Sequence, residues 1–205
     1  AILLDKKGRG KGIQRAVFFF PAIPSKLLVG YLWCFIFAPT STGVINVILK
    51  NVFHMDAVPW TSDPLLAKIS IITVAIWCNL GYHAMLYLAY LQAISNDYYE
   101  AAEIDGATWW QKFRYITYPM LAPAMTISLM LLITDSLKIF DLPKAMTDGG
   151  PGFSTYTITQ VIMLRGVTEQ KYGQASAMSM IFCLMVLVIA VIQITLSQRR
   201  EENVR

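Results

Sequence analysis

Four apolar runs, residues 16–38, 65–92, 117–140 and 175–197, dominate this chain of 205 residues, and each is long enough to cross a bilayer. Backbone N–H and C=O groups inside lipid find no water, so each run must satisfy them on itself as helix. The expected fold class is therefore all-α, a polytopic helical membrane protein with four spans in a single domain over residues 1–205. Hydrophobic residues make up 56% and charged residues only 15%, where a soluble domain carries about a quarter. A net charge of +4, with the basic residues gathered beside apolar runs, argues against a nucleic-acid surface. Cys34, Cys78 and Cys183 lie inside the runs without metal-ligand spacing and read as small buried hydrophobes. Neither a metal nor a cofactor is expected.

The segments between the runs orient them. Lys6, Lys7, Arg9, Lys11 and Arg15 face a single acid, Asp5, and mark a cytoplasmic turn; Arg199 and Arg200 close the last run in the same way. The glycines of Arg9-Gly10-Lys11-Gly12 do not form a phosphate loop, because no Gly-x-x-x-x-Gly-Lys-Ser/Thr occurs. Ala1-Ile2-Leu3-Leu4 reads as the last turn of a helix that begins earlier, so an N-terminally incomplete chain is expected. Pro21, Pro24 and Lys26 interrupt the first run near its entering end, where a kink is tolerated. Lys26 either snorkels or faces a polar cavity. Residues 39–64 read as an external loop with Trp60 at the interface, and Asp141 to about Gln174 as a second external segment.

The longest polar and aromatic stretch between two runs is Asp97 to Pro119. Asp97 with Glu100 three residues on fits a capping box, and Ala101, Ala102, Glu103 and Ile104 favour helix. Gly106 can take the left-handed conformation that ends it. Trp109, Trp110, Lys112 and Phe113 then form a second short amphipathic segment, and Pro119 opens the next run. Glu100-Ala101-Ala102, Gly106, Ile116 and Pro119 fall at the spacing of the Glu-Ala-Ala loop of ABC importer permeases, and this stretch resembles that loop. Tyr118 stands where the usual Leu would be.

A second resemblance lies in Thr147-Asp148-Gly149-Gly150-Pro151, which is similar to the Thr-x-Gly-Gly-Pro turn of permeases in the maltose and glycerol-3-phosphate type of carbohydrate importer. Phe140-Asp141-Leu142, Tyr172 to Ala177 and Asp63-Pro64 fit the same subfamily. Gly149, Gly150 and Pro151 would form an external turn. Permeases of this family usually have six spans, so the resemblance implies that this sequence supplies the last four. It also implies a bacterial or archaeal plasma (inner) membrane location and several partners: two cytoplasmic ATP-binding subunits, a second permease and an extracellular or periplasmic solute-binding protein. Residues 97–116 would be the cytoplasmic coupling loop, with Glu100, Ala101, Ala102, Asp105, Gly106, Ile116 and Pro119 meeting the ATPase.

A small hydrophilic solute needs a path lined by groups that replace its water, and ionisable residues inside lipid mark such paths. Asp135 and Lys138, three apart with Ser136 beside them, would share a face of the third run; the alternative is an interfacial snorkelling pair. Asn79, Tyr82, His83 and Tyr87 offer hydrogen bonds and aromatic faces on the second run, or else packing between helices. No nucleotide-binding motif or catalytic constellation occurs, and the resemblance implies a non-catalytic transport subunit for a sugar or sugar derivative. The competing readings are a permease for an amino acid or phosphate ester, a passive channel, or a membrane enzyme built on His83 or the Asp135–Lys138 pair.

Overall fold

The computed structural model describes residues 1–5 and 11–202, with the side chains of Leu3, Asp5, Lys11 and residues 198–202 outside the description. The basic residues at 6–9 thus lie outside the described residues, as do the side chains of Lys11, Arg199 and Arg200. Every regular element among the described residues is helical; besides single turns at Ile2–Asp5 and Tyr118–Met120, the α-helices are α1 (Lys11–Phe19), α2 (Lys26–Ile36), α3 (Val44–Phe53), α4 (Pro64–Ala93), α5 (Asn96–Ile104), α6 (Trp109–Lys112), α7 (Ala122–Leu137), α8 (Asp141–Thr147), α9 (Ile158–Met163) and α10 (Tyr172–Glu202). Short π-turns, Phe113–Thr117 and Leu164–Thr168, extend α6 and α9.

The second and fourth apolar runs are unbroken helices long and apolar enough to cross a membrane. The first and third runs break. A 3₁₀ turn at Phe20–Ala22 separates α1 from α2, where Pro21 and Pro24 remove the N–H groups that would reach back four residues. Trp109–Met120 and Ala122–Leu137 meet at a bend of 60°. There Pro123 lacks the N–H that would bond the Pro119 carbonyl. Residues 39–64, expected as a loop, contain α3. Its apolar Val44, Ile45, Val47, Ile48 and Leu49 follow Gly43, and His54 closes it in the left-handed conformation at φ 53°.

The contacts divide the chain into two compact units. The first gathers Ala1–Phe20, Leu80–Asp135 and the end of α10 from Val186. Leu91, Leu121 and Ala124 form its buried cluster, with Tyr87, Tyr90 and Ile94 packed around it. Gly81 on α4 lies against the Phe18 carbonyl of α1, and a Cβ there would collide with it.

The second unit comprises Pro21–Asn79 and Ser136–Met185. Val29, Phe37, Ile71, Val74, Cys78, Leu142 and Met146 fill its core. Gly30 lets α2 and α8 approach so closely that a Cβ would stand 2.6 Å from that of Ala145. Trp33 stacks on Phe37 and meets Trp77 edge-on, each at 5.3 Å, and Phe37 continues to Trp60 at 5.7 Å.

Trp60, expected only as an interface marker, is tied to Asn46, which is 1% exposed. The Asn46 amide donates to the carbonyls of Ala38, Thr40 and Val58, at 3.1, 3.1 and 3.0 Å. Its Oδ1 accepts from the Val58 N–H and Trp60 Nε1–H, both at 3.0 Å. Asn46→Leu would strand the two donors, each a desolvation penalty of about 1–3 kcal/mol. Thermal unfolding in detergent should show a lower midpoint for Asn46→Leu than for Trp60→Phe, which removes one donor together with its bond.

Candidate functional site

The charged loop after α4 is a pair of helices clasped around a glycine. Its first helix starts at Asn96 and is capped by Ser95, whose Oγ accepts from the Asp97 N–H at 3.3 Å. The expected Asp97 cap is therefore corrected. Asp97 sits in the first turn, where its charge suits the helix dipole, and Glu100 lies too far along to close a capping box. Ser95 carried the signal in the sequence, as a hydroxyl residue directly before the helical stretch.

Gly106 ends α5 as expected, at φ +73°. Its N–H bonds the Glu103 carbonyl at 3.0 Å and that of Ala107 bonds the Ala102 carbonyl at 2.9 Å, the paired closure of a Schellman motif. Thr108 then caps α6 in a capping box with Gln111, a Thr-x-x-Gln pattern that sequence reading passed over. Two contacts brace the halves of the loop: Lys112 pairs with Glu103 at 2.5 Å, and Tyr99 Oη lies 3.0 Å from Thr117 Oγ1. Opposite charges on either side of the glycine were legible, but their meeting required the turn. Trp109 stacks on Phe113 at 5.8 Å.

With Glu103 and Tyr99 turned to the brace, Glu100, Ala101, Asp105 and Gly106 are exposed, Ala102 is half-buried and Ile104 is 87% exposed. Ile116 and Pro119 are half-buried beyond the π-turn. Buried Thr117 and Leu121 carry the loop into the Leu91–Ala124 cluster, so it continues into both α4 and α7.

The polar span residues are scattered. His83 Nδ1 lies 2.8 Å from Ser128 Oγ, linking α4 to α7, and Tyr82 stands edge-on to the imidazole at 5.4 Å. Ser128, 2% exposed, was missed because a lone serine in an apolar run carries no sequence signal. Asn79 donates to the Ala75 carbonyl of its own helix at 2.9 Å. Asp135 and Ser136 are exposed near the end of α7, but the helix stops at Leu137. Lys138 is exposed in the turn beyond, and α8 begins at Asp141.

The Thr147–Pro151 stretch closes α8. Asp148 is the left-handed cap at φ 48°, and Gly149, at φ +86°, lies under the Tyr156 ring with no room for a Cβ. Thr147 and Thr155 hydroxyls meet at 2.7 Å, Thr155 also donates to the Gly150 carbonyl at 2.7 Å, and the Gly150–Pro151 bond is cis. Beyond α9, Arg165 and Lys171 both pair with Glu169.

The family profile for binding-protein-dependent transport system inner membrane components matches residues 6–201. The chain belongs to this family. It is thus a non-catalytic transport subunit of the inner membrane. It is 33% identical over 202 residues to the probable starch degradation products transport system permease protein of Thermoanaerobacterium thermosulfurigenes, covering 98% of this chain and 68% of the relative. The trehalose/maltose transport system permease protein of Thermococcus litoralis is 31% identical over 202 residues, with the same coverages. The sn-glycerol-3-phosphate transport system permease protein of Agrobacterium fabrum is 30% identical over 207 residues, again at 98% and 68%. The crystal structure of a bacterial ABC transporter for import of the acidic polysaccharide alginate has a chain that superposes with a TM-score of 0.87 at 25% identity, over 97% of this chain and 71% of that one.

Two predictions follow from the geometry. Ser128→Ala removes the bond between His83 and α7; interhelical bonds in bilayers average about 0.6 kcal/mol and reach about 1.7. Unfolding in bicelles should register a loss within that range. The hydrogen bonds from Lys171 and Arg165 hold Glu169 below its ordinary value of 4.5. Its contribution to local order is complete above that value and disappears as pH falls through the lowered one. Pulsed amide exchange should therefore find residues 165–171 unchanged from pH 7 to 5 and less protected at pH 3.

Proposed function

We propose that this chain is a permease subunit of an ATP-driven importer for a sugar or sugar derivative. It forms part of the solute path through four spans, two of them bent, and couples to a separate ATPase through the cytoplasmic loop 97–116. The observation that carries this reading is the braced loop. Its Glu103–Lys112 and Tyr99–Thr117 contacts lock two helices around Gly106, while Glu100, Ala101 and Ile104 stay outward. A short helix with small residues and one acid suits a groove with a basic group on the partner. Rigid continuity from the loop into α4 and α7 is what coupling requires, since a floppy loop would absorb a push from the ATPase.

Two ATP-binding subunits, a second permease and a solute-binding protein complete the proposed assembly. The relatives' names, for starch products and trehalose/maltose, support a carbohydrate solute, carried past His83, Tyr82 and the polar end of α7. The glycerol-3-phosphate relative favours a phosphate ester as the second reading. Co-purification with the ATPase tests the coupling. Glu100→Arg should lose most of the bound ATPase while inserting normally. Gly106→Pro should do the same, because proline cannot take a φ of +73°. Retention of the ATPase by both variants would refute the docking role of the loop.

A further inference from the structure

A cavity of about 150 Å³ opens in the second unit beside the Thr147–Pro151 turn. A cavity of comparable size in an apolar interior admits one six-membered ring, benzene. Phe140, Lys144, Asp148, Tyr156, Gln160 and Met163 are among the residues that line it. The tight turn arranges two of them: it places Asp148 in the left-handed cap and seats Tyr156 on Gly149. Thr159 holds α9 in place by donating to the Ile139 carbonyl at 2.7 Å.

Gln160 is the informative residue. It is 4% exposed, and its Oε1 accepts from the Thr157 N–H at 3.0 Å and the Thr157 hydroxyl at 3.4 Å. A backbone N–H can only donate, so this contact fixes which end of the amide is which. Nε2 is thereby left as a buried donor without an acceptor. Such groups are rare in folded proteins and call for a partner.

The remaining polar lining is a matched pair. Lys144 Nζ donates to Asp148 Oδ1 at 2.5 Å, and both side chains are exposed enough to meet a ligand. A cation and an anion side by side carry no net charge, which favours a neutral ligand over an ionic one. They also present a donor next to an acceptor. Adjacent hydroxyls on one ring match that arrangement, one donating to the carboxylate while its neighbour accepts from the ammonium. Tyr156 and Phe140 supply apolar faces for the C–H side of such a ring.

We propose that this cavity binds one unit of a neutral sugar or polyol through its vicinal hydroxyls, with Gln160 Nε2 donating to a further ring or hydroxyl oxygen. The proposal deepens the importer reading and rests on it in placing residues 141–174 on the outer face. It gives the Thr-x-Gly-Gly-Pro turn a job beyond closing α8.

The test uses the assembled importer in nanodiscs without its solute-binding protein, and methyl α-D-glucopyranoside and glycerol as probes. Saturation-transfer NMR should detect a binding component in the wild type that weakens at least tenfold in Gln160→Met. Asp148→Asn, which keeps a residue at ease in the left-handed conformation, should weaken it similarly without touching the Thr157 cap. Equal signals in all three proteins, or no signal in the wild type, would mean the cavity holds only water and would overturn the proposal. ATP-dependent sugar uptake by the complete importer is measured alongside. Its absence with variant-sensitive probe binding retained would sink the importer reading alone; intact uptake with variant-insensitive binding would sink the site alone.

Discussion

A chain that crosses lipid must hydrogen-bond its own backbone, and the architecture of this protein follows from where that requirement is met and where it lapses. Along α4 and α10 the ladder is continuous. It lapses at Pro21 and Pro24 and again at Pro119 and Pro123, and at those places the chain turns 3₁₀ or bends by 60°. Breaks of this kind are tolerated where neighbouring structure takes up the freed groups. Each lies next to a position where helices meet closely: Gly81 against the Phe18 carbonyl, and Leu121 in the cluster with Leu91 and Ala124.

Outside the long helices the same accounting is done by side chains. Asn46 alone satisfies four backbone groups and the Trp60 indole, joining residues 38–40 to 58–60. Thr147 and Thr155 do it for the turn after α8, and Ser95 and Thr108 cap the two short helices on either side of Gly106. Polar residues in this protein act mainly on backbone ends. His83 and Ser128 meet side chain to side chain between two helices.

That division of labour bears on transport. A coupling element must be stiff, and the loop proposed for that role is braced by an ion pair across a glycine whose conformation no bulkier residue takes easily. The surface left over, small and acidic with one prominent isoleucine, is free for a partner. On the other unit, the turn built on Gly149 and Gly150 holds Asp148 and Tyr156 at the wall of a cavity with an unmatched buried donor. Both elements use glycine for a backbone shape and place chemistry on its neighbours.

Much of this was legible from the residues in order. The apolar runs required helices because hydrocarbon offers the backbone no other partner, and Gly106 announced its turn because little else accepts a positive φ. The spacing from Glu100 to Pro119 pointed to the family by itself. Tertiary structure decided the rest. Ser95 rather than Asp97 became the cap because the helix starts two residues earlier, a margin that local propensity does not resolve. Glu103 met Lys112, His83 met Ser128, and Asn46 met Val58 and Trp60 only because folding brought distant backbone together. Periodicity and propensity act over a few residues, so they determine which segments are helical. Which polar groups find one another depends on packing between segments, and no single stretch of sequence contains it.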